Sequence, residues 1–304
     1  MDPMHCDCHE EDYRRVVEGP GSTRFLPDSD VEIVGRFVPR RPPGHVLFDF
    51  DGTLSLIREG WPKVMVSMMV EVLRATGTAE SSRRLQQTVF EFVMELNGKQ
   101  TIHQMIRLAE EVRHRGATPD DPLVYKRIYH DRLMQRIAGR REALRSGKTP
   151  AEEMLVPHSL EILEEFRRRG VELYLASGTD ESYVREEARL LGLDKYFGPR
   201  VYGARDDYKS FSKAKVIERI LREGRIESEL LLGFGDGYVE IHNVKSVGGT
   251  AVAVASDEAG RSGKPDAWKR DRLIGVGADL VIPDYRHWRT LLDYLWKEIN
   301  PWPS

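Results

Sequence analysis

Val46 to Leu54 reads Val-Leu-Phe-Asp-Phe-Asp-Gly-Thr-Leu, and this stretch decides the fold. Val46, Leu47 and Phe48 form an apolar run of the length expected for a strand buried on both faces, ended by a turn at Gly52. Asp49 and Asp51 therefore stand at the carboxyl end of a strand. Being two residues apart, their side chains start on the same side, with Phe50 pointing away. Like charges that close repel. The pair is tolerable if a cation neutralises one carboxylate or if one carries a proton, and phosphoryl chemistry uses both states. Taken alone, the same residues also fit a strand running into a solvated Asp-Gly turn.

At 304 residues the chain is long enough for one large α/β domain, or a core domain with a smaller companion. Its hydrophobic fraction of 40% is ordinary for a globular protein, and its net charge of −3 makes no electrostatic case for nucleic acid. No window approaches a membrane span, and the acidic start is unlike a secretory signal, so a cytoplasmic location is expected. The only cysteines, Cys6 and Cys8, exclude a disulfide framework. With His5 and His9 they offer soft-metal donors, but Cys-x-Cys lacks the usual Cys-x-x-Cys spacing, and the segment reads as a frayed terminus. The rest of an N-terminal arm, residues 1–43, holds one expected strand, Val31 to Val38, and a basic, Pro-rich linker.

After the Asp-x-Asp-Gly-Thr turn the pattern becomes helical. Trp61 to Val72, Leu85 to Leu96, Ile102 to Val112 and Tyr125 to Ile137 carry apolar residues at helical spacing, separated by breaks at Gly77, Gly98 and 116–122. Four amphipathic helices predict a small bundle over residues 58–155, set above the strand end. Polar residues at its breaks, Arg58, Lys63, Asn97, Lys99 and Gln100, are candidates to face the site, although each fits an ordinary solvated position. The connections at 56–60 and 155–157 are expected hinges.

Residues 44–57 and 156–304 then form an alternating helix and strand pattern, predicting a doubly wound parallel sheet. The strand Val171 to Ala176 ends in Ser177-Gly178-Thr179-Asp180, where a hydroxyl and free backbone N–H groups suit a phosphate oxygen or, equally, a helix cap. Lys213, at a helix entrance, is preferred to Lys209 as a charge-neutralising lysine. The strand Leu230 to Phe234 runs into Gly235-Asp236-Gly237-Tyr238-Val239-Glu240, whose two carboxylates suit a hard cation such as magnesium.

In combination and order these stretches resemble the haloacid dehalogenase superfamily, over about residues 44–297. Asp49, Asp51, Gly52 and Thr53 match its first motif, Ser177 its second, Lys213 its third, and Asp236 with Glu240 its fourth. Glu240 departs from the commoner Asp, and the lysine segment lacks the Lys-Pro-x-Pro form of many relatives. The resemblance implies a Rossmann-like core with an inserted all-helical cap, as in phosphoglycolate phosphatase and β-phosphoglucomutase relatives. It further implies a magnesium-dependent phosphatase acting on a small phosphorylated metabolite through an aspartyl phosphate. In that scheme Asp49, Asp51, Ser177 and Lys213 are catalytic, and Asp49, Asp51, Asp236 and Glu240 hold the metal. Gly52, Thr53, Gly178, Thr179, Asn97 and Lys99 bind phosphate or substrate. A phosphomutase with the same site, or a binding module without turnover, are the alternatives.

Overall fold

The computed structural model describes residues 12–17, 21–205 and 212–297. Eight strands form one sheet: β1 (Thr23–Phe25), β2 (Glu32–Val34), β3 (His45–Phe48), β4 (Glu172–Asp180), β5 (Val201–Ala204), β6 (Leu231–Gly235), β7 (Thr250–Val254) and β8 (Leu280–Ile282). Their order is β1-β2-β8-β7-β6-β3-β4-β5. From β8 to β5 every pairing is parallel, as the alternating pattern predicts. The arm adds what its sequence did not disclose. It contributes two short antiparallel strands on the β8 edge rather than one long one, with the buried Glu32 carboxylate paired to Arg270.

Between β3 and β4 stand four helices at the expected positions: α1 (Trp61–Arg74), α2 (Ser82–Glu95), α3 (Thr101–His114) and α4 (Pro122–Arg145). They are the helical cap. Its entry and exit run side by side, the Val156 N–H donating to the Leu54 carbonyl at 2.9 Å and the Leu56 N–H to the Met154 carbonyl at 2.9 Å. Among the described residues, seven further helices pack on the sheet: α5 (Ser159–Arg168), α6 (Glu181–Leu190), α7 (Asp194–Phe197), α8 (Lys213–Gly224), α9 (Tyr238–Ser246), α10 (Ala267–Gly275) and α11 (Trp288–Leu295). No helix among the described residues is long and apolar enough to cross a membrane.

The register of the central strands positions the site. Phe48 lies level with Leu175 of β4 and Phe234 of β6, so Asp49, Ser177 and Asp236, the next one or two residues of each strand, emerge at one edge. The Asp49 N–H donates to the Phe234 carbonyl at 2.9 Å and extends that register one residue further. Beneath it the Phe48 and Phe234 rings stack at 4.8 Å between centroids, a rigid apolar floor. Because β4 leaves β3 on one side and β6 on the other, this edge is a topological switch point of the sheet, where parallel α/β folds bind ligands.

Candidate active site

A cavity of about 80 Å³ opens between these strand ends and the cap. Asp49, Asp51, Ser177, Gly178, Thr179, Lys213 and Asp236 line it from the sheet side, and Asn97 and Lys99 from the cap. Lys213, almost wholly buried, places its ammonium 2.9 Å from Asp49 Oδ1 and also on the Glu240 carboxylate. Glu240 was expected among metal ligands. Its carboxylate instead lies on the lysine, because α9 turns it back under the Gly235 and Gly237 backbone, toward α8. Thr53 and Gly52 do not line the cavity either. Thr53 Oγ1 accepts the Asp236 N–H at 3.0 Å, which ties the first and last motifs together. Gly52, at φ +73°, is packed so tightly that an added Cβ would fall 2.2 Å from Asp236 Oδ2. Lys209 and the Cys6/Cys8 segment lie outside the described residues.

The two strand-end aspartates are in different surroundings. Burial pushes Asp49 up to about 6, against the pull of the Lys213 ammonium, with Asp236 adding to the rise. Asp51 is pushed up further, to about 7, first by burial, then by Glu187 and Asp49, against the opposing pull of Arg58. Thr179 Oγ1 donates to Asp51 Oδ2 at 3.0 Å, and the Thr179 N–H donates to Ser177 Oγ at 3.1 Å. Arg58, from the cap's entry segment, forms a two-pronged pair with the fully buried Glu187 of α6 at 2.9 Å. Its Nε is 3.7 Å from Asp51 Oδ1. A buried guanidinium fixed by another residue thus biases one oxygen of Asp51.

The charges near the cavity do not balance. Among the described residues, Asp49, Asp51, Asp236, Glu187, Glu240 and Glu258 pair with Arg58, Lys213 and Lys269, while Lys99, also in the cavity wall, is paired with Asp12. The acids outnumber these cations by three, and burial pushes up Asp49 and Asp51, which line the cavity, and Glu258 behind it. This donor set of oxygens with surplus negative charge fits a hard divalent cation.

The cap meets the sheet through backbone. An added Cβ on Gly178 would be 3.0 Å from the Lys99 carbonyl oxygen, and one on Gly98 3.1 Å from Gly237 Cα. The Asn97–Gln100 turn therefore rests on the glycines of the second and fourth motifs. Side chains hold the closure as well: Lys126 pairs with Asp180, and Arg141 with Glu186 at 2.6 Å. Of the other residues proposed at the cap breaks, Arg58 reaches the site, while Gln100 is buried at the start of α3 and Lys63 faces solvent. Trp61, Met65, Thr101, Gln104 and Tyr129 complete the cavity wall. Their helical spacing reads as packing, and nothing in the sequence marks which of them turn inward.

A family model described as haloacid dehalogenase-like hydrolase matches residues 44–248. The chain belongs to that family. It is thus a haloacid dehalogenase-like hydrolase, whose matched region begins at the strand of the first motif and leaves the arm outside. No curated protein matches the sequence. Solved structures share the hydrolase's fold at low identity. A haloacid dehalogenase-like protein of unknown function from Agrobacterium tumefaciens is 15% identical with a TM-score of 0.54, covering 84% of this chain and 100% of its own. A family IA, variant 3 hydrolase from Entamoeba histolytica is 17% identical with a TM-score of 0.54, covering 83% and 99%. A predicted phosphoglycolate phosphatase from Haemophilus somnus is 16% identical with a TM-score of 0.51, covering 82% and 97%.

Proposed function

We propose that this hydrolase removes the phosphoryl group from a small phosphate monoester through an aspartyl phosphate on Asp49. The observation that carries the reading is the unequal placement of the two cavity aspartates, one against an ammonium and the other raised to about 7. Two carboxyls held in different surroundings can divide nucleophilic and acid–base work.

Asp49 attacks phosphorus in line, and the ester oxygen leaves as its bond to phosphorus breaks. Asp51 gives that oxygen its proton, and then takes one from the water that hydrolyses the aspartyl phosphate. Thr179 and Arg58 hold the Asp51 carboxyl in place for both steps. Ser177 Oγ, the Gly178 N–H and the Lys213 ammonium spread the negative charge of the phosphoryl oxygens. Glu240 keeps the lysine turned toward Asp49. Magnesium, when bound, would neutralise the acid surplus and polarise the phosphoryl group, held by Asp49, the Asp51 backbone carbonyl and Asp236. Closure of the cap excludes bulk water from this chemistry.

The cavity is small, about 80 Å³. Trp61, Met65 and Tyr129 give it an apolar wall, while Asn97, Lys99 and Gln104 offer polar contacts. Phosphate release from a panel of small phosphate monoesters, with magnesium and with excess chelator, tests the reading. Magnesium-dependent release is expected, with a dephosphorylated organic product. Release unaffected by chelator would remove the metal. A product still phosphorylated at another position would make the enzyme a mutase.

A further inference from the structure

The loop after β7 and the first turn of α10 build a second layer behind Asp236. Lys269 enters it from α10, whose N-terminus is capped by the Asp266 side chain accepting the Lys269 N–H at 2.8 Å. The Lys269 ammonium lies 2.8 Å from Asp236 Oδ2, 2.7 Å from Glu258 Oε1 and 3.2 Å from Ser256 Oγ. The ammonium donates to Glu258 and Ser256 and is ion-paired with Asp236. Ser256 in turn donates to the Gly52 carbonyl at 2.6 Å, so the cluster is anchored to the first motif as well. Neither Lys269 nor Glu258 lines the cavity, whereas Asp236 does.

This layer removes one oxygen of Asp236 from use. Oδ2 is held by Lys269 and packed beneath Gly52, where even a methyl group has no room. Only Oδ1 is left for the cavity. Glu258, a further carboxylate of this layer, is engaged by the same ammonium. Calcium takes six to eight oxygens, often with a carboxylate supplying two; magnesium is content with single oxygens from one or two carboxylates and retains water. We propose that Lys269 is a positioning residue which restricts Asp236 to one oxygen, withholds Glu258, and so sets the site's preference for magnesium over calcium. This rests on the metal-dependent reading of the site given above.

The test is metal binding without turnover, read from the melting temperature of the metal-free full chain titrated with magnesium chloride or calcium chloride. Wild type should respond at lower magnesium than calcium concentrations. In Lys269→Met the Asp236 carboxylate is no longer held and can turn its second oxygen out from beneath Gly52, and Glu258 loses its cation, so calcium affinity should rise and the magnesium-to-calcium preference should fall about tenfold. A loss of packing alone would weaken both metals together and leave the ratio unchanged. Since Lys269→Met strands a buried carboxylate, the double variant Lys269→Met/Glu258→Gln, which removes both charges, is measured in parallel and decides the matter should the single variant fail to fold. An unchanged ratio in the folded variants overturns the role of Lys269 while leaving the metal site standing. A wild-type chain whose melting responds to neither metal overturns both.

Discussion

The strand-end cluster and the cap tip face each other across one cavity but are held by different physics. On the sheet side, Asp49, Lys213 and Glu240 are buried together, and the partners of each are themselves fixed by strand register or helix position. On the cap side, the buried Lys99 pairs at 2.6 Å with Asp12, whose side chain is 85% exposed, and the Asn97–Gln100 turn is seated by close backbone approach. Buried charges are costly to strand, whereas an acid left in water and a van der Waals seat are cheap to release. In the proposed function the chemistry belongs to the firmly held part, and selection of the leaving group to the part that is easier to open.

Removing an ammonium from each side should expose this contrast most strongly. Lys213→Met leaves Asp49 and Glu240 buried without their cation, so stability should fall by about 3–5 kcal/mol and kcat/KM by about a thousandfold. Lys99→Met should stay within about 1 kcal/mol of wild type. Denaturant unfolding and steady-state kinetics measure both. Similar stability losses in the two variants would break the distinction.

Gly98→Ala tests the seat itself. The residue stands at φ +98°, and its new Cβ would press on Gly237 at 3.1 Å, so the cap tip must lift. Catalytic efficiency should drop by about ten- to a hundredfold while global stability falls by only about 1–2 kcal/mol, since the fault is in closure. A larger stability loss with activity preserved would show that the turn supports the fold instead.

A further effect concerns pH. Asp49 and Asp51 titrate at about 6 and about 7 when folded, against an ordinary 3.8. Groups with raised folded values contribute stability that is fully present below their unfolded value and is lost as pH rises through the folded ones. The metal-free protein should therefore lose stability from these groups between about pH 4 and 7. Magnesium, which favours the ionised carboxylates, should raise the melting temperature by a few degrees at pH 8 and hardly at all at pH 5. A shift independent of pH would mean that magnesium binds elsewhere.

The same contrast explains how much was legible in the sequence. The Asp49–Thr53 turn follows an apolar run at a fixed spacing, and the four cap helices announce themselves by period; both are local signals. Glu186 and Glu187 are adjacent and chemically alike, yet one pairs with Arg141 of the cap while the other is fully buried on Arg58. Helical spacing puts Glu187 on the inner face with Val184 and Ala188, but the partner that makes a buried carboxylate tolerable there is 129 positions away. Lys269 and Glu258 are equally silent, because a loop must fold back onto Gly52 before they meet Asp236. The arm's β1, with exposed side chains and three residues, has no periodicity to detect.

The central claim is that Asp49 carries the phosphoryl group, and acid quenching during turnover tests it most directly. Mass spectrometry of the digested enzyme should find the peptide containing Asp49 heavier by one phosphoryl group, with the adduct and turnover both lost in Asp49→Asn, whose melting behaviour stays close to wild type. Phosphate release by wild type with no adduct on that peptide, or turnover surviving in the variant, would contradict the account.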